Sequence, residues 1–149
     1  MDRIEEAVSY FEEGFNCAQA ILGAFGPGFG LDRELALRLA SSFGGGMGRL
    51  GETCGAVTGA LMALGLKYGY GPTWAGDEEA KERAYDLARS FIAEFKGRNG
   101  SVLCRELLGC DLSTPEGQRR AKEEGLHISH CPRFVRDAAE ILEHLLAEE

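Results

Sequence analysis

The sequence predicts an all-α protein, a single-domain bundle of short helices with glycine-rich connections, with one domain over residues 1–149. Apolar residues recur three and four positions apart in almost every segment, and these segments are bounded by glycine, proline or capping residues. No segment shows the sustained alternation with β-branched enrichment that is typical of strands. A chain of 149 residues is long enough to bury one core.

Three helices are predicted before the glycine-dense run 44–51. Gly14 ends the first, Asn16 caps the second and Asp32 caps the third, because Asn and Asp side chains accept hydrogen bonds from the first free amides of a helix. Each helix has an apolar face, and the three faces consist of Ile4, Val8, Phe11 and Phe15; Ala18, Ile21, Leu22 and Phe25; and Leu35, Leu39 and Phe43.

Five further helices are predicted after this run, each bounded by similar signals. They extend from about Glu52 to Tyr68, from about Asp77 to Lys96 with Gly97 as the stop, from Ser101 to Gly109, from Pro115 (capped by Thr114) to before Gly125, and from Pro132 onward. Side chains assigned to core or loop packing include Met47, Met62 and Trp74.

Composition excludes several classes of function. The net charge of −8 without a cluster of Lys and Arg argues against a nucleic-acid partner or an anionic membrane surface. The acidic N-terminus lacks the apolar run of a secretory signal. The longest uncharged stretch, 53–66, is too short to cross a bilayer. We therefore expect a cytoplasmic protein with no membrane contact.

Four of the five cysteines fall at predicted helix N-termini, and they are Cys17, Cys54, Cys104 and Cys131. Structural disulfides are rare in a reducing compartment, where cysteines are more often buried, metal-binding or catalytic. A helix N-terminus favours the thiolate over the thiol by at most about one pKa unit from its dipole alone. The thiolate is the form that binds metals and attacks disulfides, so these positions predict reactive or ligating sulfur.

Glycines surround Cys54. Gly51, Gly55 and Gly59 are spaced four apart, and a glycine inside a helix costs about 1 kcal/mol relative to alanine. Such a face predicts the close approach of another backbone or of a cofactor. Packing of this face across a two-fold axis would give a homodimer, and we expect this association.

The run Gly46-Met47-Gly48-Arg49-Leu50-Gly51 matches the pattern G-x-G-x-x-G. A dinucleotide site requires a preceding strand, and a helix precedes this run, so no such site is predicted. The alternative is a loop whose amides approach an anion or cluster. Arg49 is interpreted either as a solvated charge or as a cation that stabilises a nearby thiolate.

The chain resembles the C_GCAxxG_C_C family, to which a redox role is ascribed. The resemblance covers nearly the whole chain and depends on Gly14-Phe15-Asn16-Cys17, Gly46-Met47-Gly48, Cys54-Gly55-Ala56-Val57-Thr58-Gly59, Cys104 and Cys131-Pro132. It implies that Cys17, Cys54, Cys104 and Cys131 are the family cysteines. A similar domain of split-Soret cytochromes is associated with an iron–sulfur centre. In the family label glycine precedes the cysteine, whereas Thr53 does so here and Gly55 follows; Cys110 lies outside the set.

Three functions remain open from the sequence. The first is electron transfer through an iron–sulfur or other metal centre held by Cys17, Cys54, Cys104 and Cys131. The second is a metal-free dithiol/disulfide couple with Cys54 and Cys17 as catalytic thiols, Cys54 attacking. The third is a structural zinc site or a helical partner-binding module.

Further candidate residues and an expected partner complete these three hypotheses. Cys110 and His130 are additional candidate metal ligands, the latter because it adjoins Cys131. No C-x-x-C occurs, so a thioredoxin-like motif is absent. Any redox role implies a redox partner protein, which the sequence does not identify, and any enzyme activity would be that of an oxidoreductase.

Overall fold

The computed structural model describes residues 2–72 and 76–147. Its helices are α1 (Arg3–Glu12), α2 (Cys17–Phe25), α3 (Arg33–Leu39), α4 (Gly55–Tyr68), α5 (Glu78–Asn99), α6 (Cys104–Leu108), α7 (Pro115–Glu123), α8 (Leu126–Ser129) and α9 (Cys131–Ala147), with 3₁₀ turns at Gly26–Phe29 and Ser41–Phe43. The described residues form no sheet, and the prediction of an all-α fold is confirmed. The packing predicted for Trp74 lies outside them.

Side-chain caps determine where several helices begin. Asn16 accepts a hydrogen bond from the Gln19 amide at 2.8 Å, and the Gln19 side chain accepts one from the Asn16 amide at 3.0 Å. This reciprocal pair, a capping box, satisfies two amides that the first turn of α2 leaves free. Asp32 and Thr114 cap α3 and α7 as the sequence predicts.

A single hydrophobic core lies between α1, α2, α4, α5 and α9. Its largest fully buried side chains include Phe25, Phe91, Phe95 and Phe134, and Phe95 contacts both Phe91 and Phe134. Burial of each such side chain stabilises the fold by about 1.5–3 kcal/mol. The core therefore anchors the long helices whose first residues form the site.

The glycine face of α4 packs against α2 within the same chain. A Cβ atom on Gly59 would lie 2.9 Å from the Ala18 carbonyl oxygen, and one on Gly55 would lie 2.8 Å from the Ala18 nitrogen. The close approach predicted from these glycines is thus made by a neighbouring helix. Because α2 occupies this face, it no longer supports the expected homodimer.

Several predicted boundaries were wrong. Helix α4 begins at Gly55, three residues later than predicted, and Gly51 lies outside it with a left-handed φ of +73°. Helix α5 continues through Gly97 and ends at Asn99, and the φ of +85° at Gly100 allows the left-handed turn that stops a helix.

Three further differences concern short segments. Helix α6 begins at Cys104 rather than near Ser101, because the Ser101 hydroxyl accepts a hydrogen bond from the Leu103 amide and forms a turn. Helix α8 was not predicted. The expected α3 face is largely exposed, with Leu35 at 45% and Leu39 at 52%. Among the described residues, no helix has both the length and the apolar character that crossing a membrane requires.

Candidate functional site

Four cysteines line one cavity of about 820 Å³. Cys17, Cys104 and Cys131 are the first residues of α2, α6 and α9, and Cys54 is the N-cap of α4. Their side chains therefore converge from the N-terminal ends of four helices. The lining of this cavity does not include Cys110 or His130.

Backbone pairing holds Cys54 beside Cys104. An isolated antiparallel bridge joins Thr53 to Leu103. On either side of it, the Cys54 amide donates to the Val102 carbonyl at 2.7 Å and the Cys104 amide donates to the Glu52 carbonyl at 2.7 Å. Each cysteine thus comes directly after one of the two bridged residues, so the bridge brings Cys54 and Cys104 together although they are 50 positions apart in the sequence.

Cys17 is at the centre of a group of three thiols. Its thiol lies within interaction distance of the Cys131 and Cys54 thiols, which are the main causes of its pKa shift. All three cysteines are free thiols; Cys17 is half-buried, whereas Cys54 and Cys131 are buried. One thiol that contacts two others is an arrangement in which either neighbour can pair with it in a disulfide.

The pKa values within this group move in opposite directions. Hydrogen bonds donated to Cys131 and Cys54, together with burial, raise the pKa of the Cys17 thiol. The hydrogen bond from Cys17 lowers the pKa of Cys54, helped by the amides of Ala56 and Val57. The hydrogen bond from Cys17, followed by that from His127, lowers the pKa of Cys131 to about 6. The group therefore favours thiolates on Cys131 and Cys54 and a protonated Cys17.

The other two cysteines have raised pKa values. Burial, followed by the charges of Cys54 and Cys131, raises the pKa of Cys104 to about 12. Burial also raises the pKa of Cys110, although the positive charge of Arg120 opposes it. Both thiols therefore remain protonated at neutral pH, in spite of the N-terminal position of Cys104 on α6.

His127 is a site residue that the sequence analysis did not single out. Its Nδ1 lies 3.7 Å from Cys131 Sγ, and the contact with Cys131 raises the pKa of His127. His130, the histidine chosen because it adjoins Cys131 in sequence, instead places Nδ1 2.6 Å from the Ser129 hydroxyl. The spacing of four between His127 and Cys131 was the available signal, although His127 lies on α8 and Cys131 begins α9, so the contact is made between two consecutive helices.

The glycine-rich loop has an unusual backbone. Residues 45–49 all have positive φ, including Met47 at +67° and Arg49 at +65°. The left-handed conformation costs a non-glycine residue about 1–2 kcal/mol. The amides of residues 47–52 donate to carbonyls within 42–47, so they are not available to cradle an anion, as the sequence had suggested. The loop instead packs against the site, since a Cβ on Gly46 would lie 2.8 Å from Cys104 Cβ.

The family profile described as "Putative redox-active protein (C_GCAxxG_C_C)" matches residues 15–145. The chain belongs to the C_GCAxxG_C_C family. The match includes all four cysteines that line the cavity, and it confirms the family resemblance found in the sequence. No curated protein and no solved structure matches the chain.

Across residues 2–72 and 76–147, no group of three or more His, Cys, Asp and Glu side chains is arranged so that it could hold a metal ion. Among the thiols that line the cavity, Cys17 interacts with Cys54 and Cys131, whereas Cys104 is affected chiefly by burial. The predicted iron–sulfur and zinc centres therefore gain no support from this geometry, and they remain predictions.

Proposed function

We propose that this protein transfers electrons by thiol–disulfide exchange, with Cys131 as the attacking thiol and Cys17 as the resolving thiol. The observation that carries the proposal is the contact of the Cys17 thiol with the Cys131 thiol at one cavity. Thiol–disulfide exchange requires an attacking thiolate and a second thiol within reach of it. The redox role of the family is consistent with this chemistry.

Cys131 is preferred over Cys54 as the attacking thiol because of His127. When protonated, the imidazole contributes a positive charge beside Cys131 Sγ, in addition to the hydrogen bond from Cys17. The Cys54 thiolate is stabilised by Cys17 and by the first amides of α4. No neighbouring cation is among the causes that lower the pKa of Cys54. In this scheme Cys54 supports the protonated state of Cys17.

The exchange takes place in two steps. The Cys131 thiolate, having lost its proton to solvent, attacks one sulfur of a disulfide substrate; the substrate S–S bond breaks, and one substrate thiolate leaves and takes a proton from solvent. The Cys17 thiol then loses its proton and attacks Cys131 Sγ, which releases the second substrate thiol. Two cysteines are oxidised to the Cys17–Cys131 disulfide, and one substrate disulfide is reduced to two thiols.

An iron–sulfur centre is the other redox function that the sequence left open. Such a centre would supply one-electron transfer, and Cys17, Cys54, Cys104 and Cys131 would hold it. The proximity of Cys17 to both Cys131 and Cys54 favours the dithiol function instead. Iron, zinc and acid-labile sulfide should therefore be measured on protein purified without oxygen, before any thiol experiment.

Oxidation with dipyridyl disulfide tests the proposal. The reduced protein should release two thiopyridones, and mass spectrometry of an unreduced digest should identify a Cys17–Cys131 disulfide. Cys17→Ser should release one and retain the reagent on Cys131, whereas Cys131→Ser should not form this disulfide. Cys110→Ser is the matched control, since Cys110 does not line the cavity, and should behave as wild type. A disulfide between other cysteines, or stoichiometric iron and sulfide with unreactive thiols, would overturn the proposal.

A further inference from the structure

The cavity is large in relation to the thiols it contains. Its volume of about 820 Å³ lies in the range of sites that enclose a small organic molecule. Exposed residues such as Ile128, 83% accessible, line it together with the buried thiols, so the cavity extends from the surface to the sulfur atoms. A concave site of this size favours a small molecule over the convex surface of a folded protein.

Much of the cavity lining is apolar. The apolar side chains come from α1, α6, α9 and the loops that follow α1 and α6, and we call them the apolar wall: Phe11, Phe15, Leu107, Leu108, Leu112 and Phe134. Polar residues, which include Asn16, Ser41 and Ser42, also line the cavity. A ligand with an apolar or aromatic body can therefore bury part of its surface here at about 25 cal/mol per Å².

Arg49 contributes a positive charge to the same cavity. Within the part of the chain that the structure describes, Arg49 forms no ion pair, whereas Arg105 on the adjoining segment pairs with Glu52. The positive charge of Arg49 acts on His127: it lowers the pKa of that imidazole, whereas the contact with Cys131 raises it. The carboxylate in the lining, that of Glu12, is not its ion-pair partner.

The backbone conformation at Arg49 also indicates a functional role for this residue. Its φ of +65° is one that glycine or asparagine adopts at less cost, and non-glycine residues in this region cluster at functional sites. An arginine that lines a cavity in an acidic protein, without a carboxylate partner, is suited to an anionic group on a ligand.

We propose that the cavity binds a small organic disulfide that carries a carboxylate next to an apolar or aromatic group, with Arg49 binding the carboxylate. The inference rests on the proposed thiol–disulfide function and specifies its substrate class. The apolar wall contacts the body of the ligand, and the disulfide sulfur lies toward Cys131. Reduction of the bound disulfide follows the two-thiol exchange described above, so no additional reactant is needed.

Three disulfide probes separate the contributions of charge and apolar surface. Dithiobis(nitrobenzoate) is aromatic and carries carboxylates, dipyridyl disulfide is aromatic and neutral, and cystamine is aliphatic and cationic. The rate of oxidation of the reduced protein is measured with each probe. Because the probes differ in intrinsic reactivity, the readout is the ratio of the anionic to the neutral rate, compared between variants.

Arg49→Gln and Arg49→Lys form the matched pair, since both retain a side chain at the left-handed position. We expect Arg49→Gln to lower the anionic-to-neutral ratio about three- to tenfold, as for the loss of one favourable charge pair, and Arg49→Lys to preserve most of it. The ratio for wild type should also fall with added salt. In Arg49→Gln the rate with cystamine should not fall relative to the neutral probe.

The outcomes distinguish the two proposals. If Arg49→Gln slows all three probes equally, Arg49 acts on the thiols or the fold rather than on the carboxylate, and the substrate assignment is wrong. If a protein disulfide oxidises the chain faster than dithiobis(nitrobenzoate) at equal concentration, the assignment to a small molecule is wrong. If dipyridyl disulfide fails to generate the Cys17–Cys131 disulfide in wild type, the proposed function itself fails.

Discussion

Cys131 and Cys104 line the same cavity, yet their acidities differ widely. Both are buried, and each is the first residue of a helix. Hydrogen bonds from Cys17 and His127 lower the pKa of Cys131 to about 6, whereas burial raises the pKa of Cys104 to about 12. The difference shows that a helix N-terminus is a minor influence beside specific hydrogen-bond donors and desolvation.

The largest expected effect is a difference in alkylation between these two cysteines. At pH 7 Cys131 is mainly thiolate and Cys104 almost entirely thiol, given the directions of their pKa shifts. A more acidic thiolate is intrinsically less nucleophilic, which reduces the advantage to about a hundredfold in rate. Iodoacetamide labelling of the reduced protein, followed by peptide mass spectrometry, measures both rates. Equal rates at pH 7 would show that the acidities of Cys131 and Cys104 do not differ.

The glycine loop that packs against Cys104 should respond strongly to an added methyl group. A Cβ on Gly46 would lie 2.6 Å from the Glu52 nitrogen and 2.8 Å from Cys104 Cβ, whereas one on Gly48 meets nothing within 4 Å. Both glycines have positive φ, so Gly48→Ala is a control for backbone strain alone. We expect Gly46→Ala to lower the free energy of unfolding by about 2 kcal/mol more than Gly48→Ala.

Urea denaturation of the two alanine variants measures this difference. It should be accompanied by a change in Cys104 alkylation in Gly46→Ala only, because Gly46 contacts Cys104. Equal losses of stability in both variants would mean that the loop does not pack against the site.

Removal of His127 should make Cys131 more like Cys104. His127→Gln eliminates a contact that lowers the pKa of Cys131, and we expect that pKa to rise by about one unit, equivalent to about 1.4 kcal/mol. His130→Gln is the matched control, since His130 acts on Cys131 through its charge alone and should cause a smaller rise. The absorbance of the thiolate near 240 nm against pH measures both shifts. A larger shift in His130→Gln would contradict the assignment of His127.

The smallest effect concerns stability against pH. The pKa of Cys131 is depressed in the folded state, so its contribution is present above the unfolded pKa of about 8.5 and is lost as pH falls toward 6. The pKa values of Cys17 and Cys104 are raised, so their contributions are lost as pH rises above the unfolded value. Stability of the reduced protein should therefore be greatest near pH 8.

Denaturation of the reduced protein from pH 6 to pH 10 measures this maximum. Cys131→Ser should reduce the increase in the free energy of unfolding between pH 6 and pH 8. Cys104→Ser should reduce the decrease in the free energy of unfolding at higher pH. Stability that increases steadily to pH 10 would contradict the raised pKa values of Cys17 and Cys104.

Most helices of this protein could be predicted from local patterns. Asn16, Asp32 and Thr114 were identified as caps because capping depends on a side chain and an amide two or three residues away. The end of α5 was misplaced because Gly97 remains helical and the left-handed residue that stops the helix is Gly100. The start of α4 was misplaced because a tertiary contact decides it: the segment at Glu52 pairs with Val102–Cys104 instead of beginning the helix.

The sequence by itself determined the all-α fold and the placement of four cysteines at the beginnings of helices, since periodicity and capping are local properties. Only the tertiary structure decided which thiols contact each other, that His127 rather than His130 lies against Cys131, and that the acidities of Cys131 and Cys104 diverge. The physical reason is that desolvation and hydrogen bonding between side chains depend on distances in space between segments that are far apart along the chain.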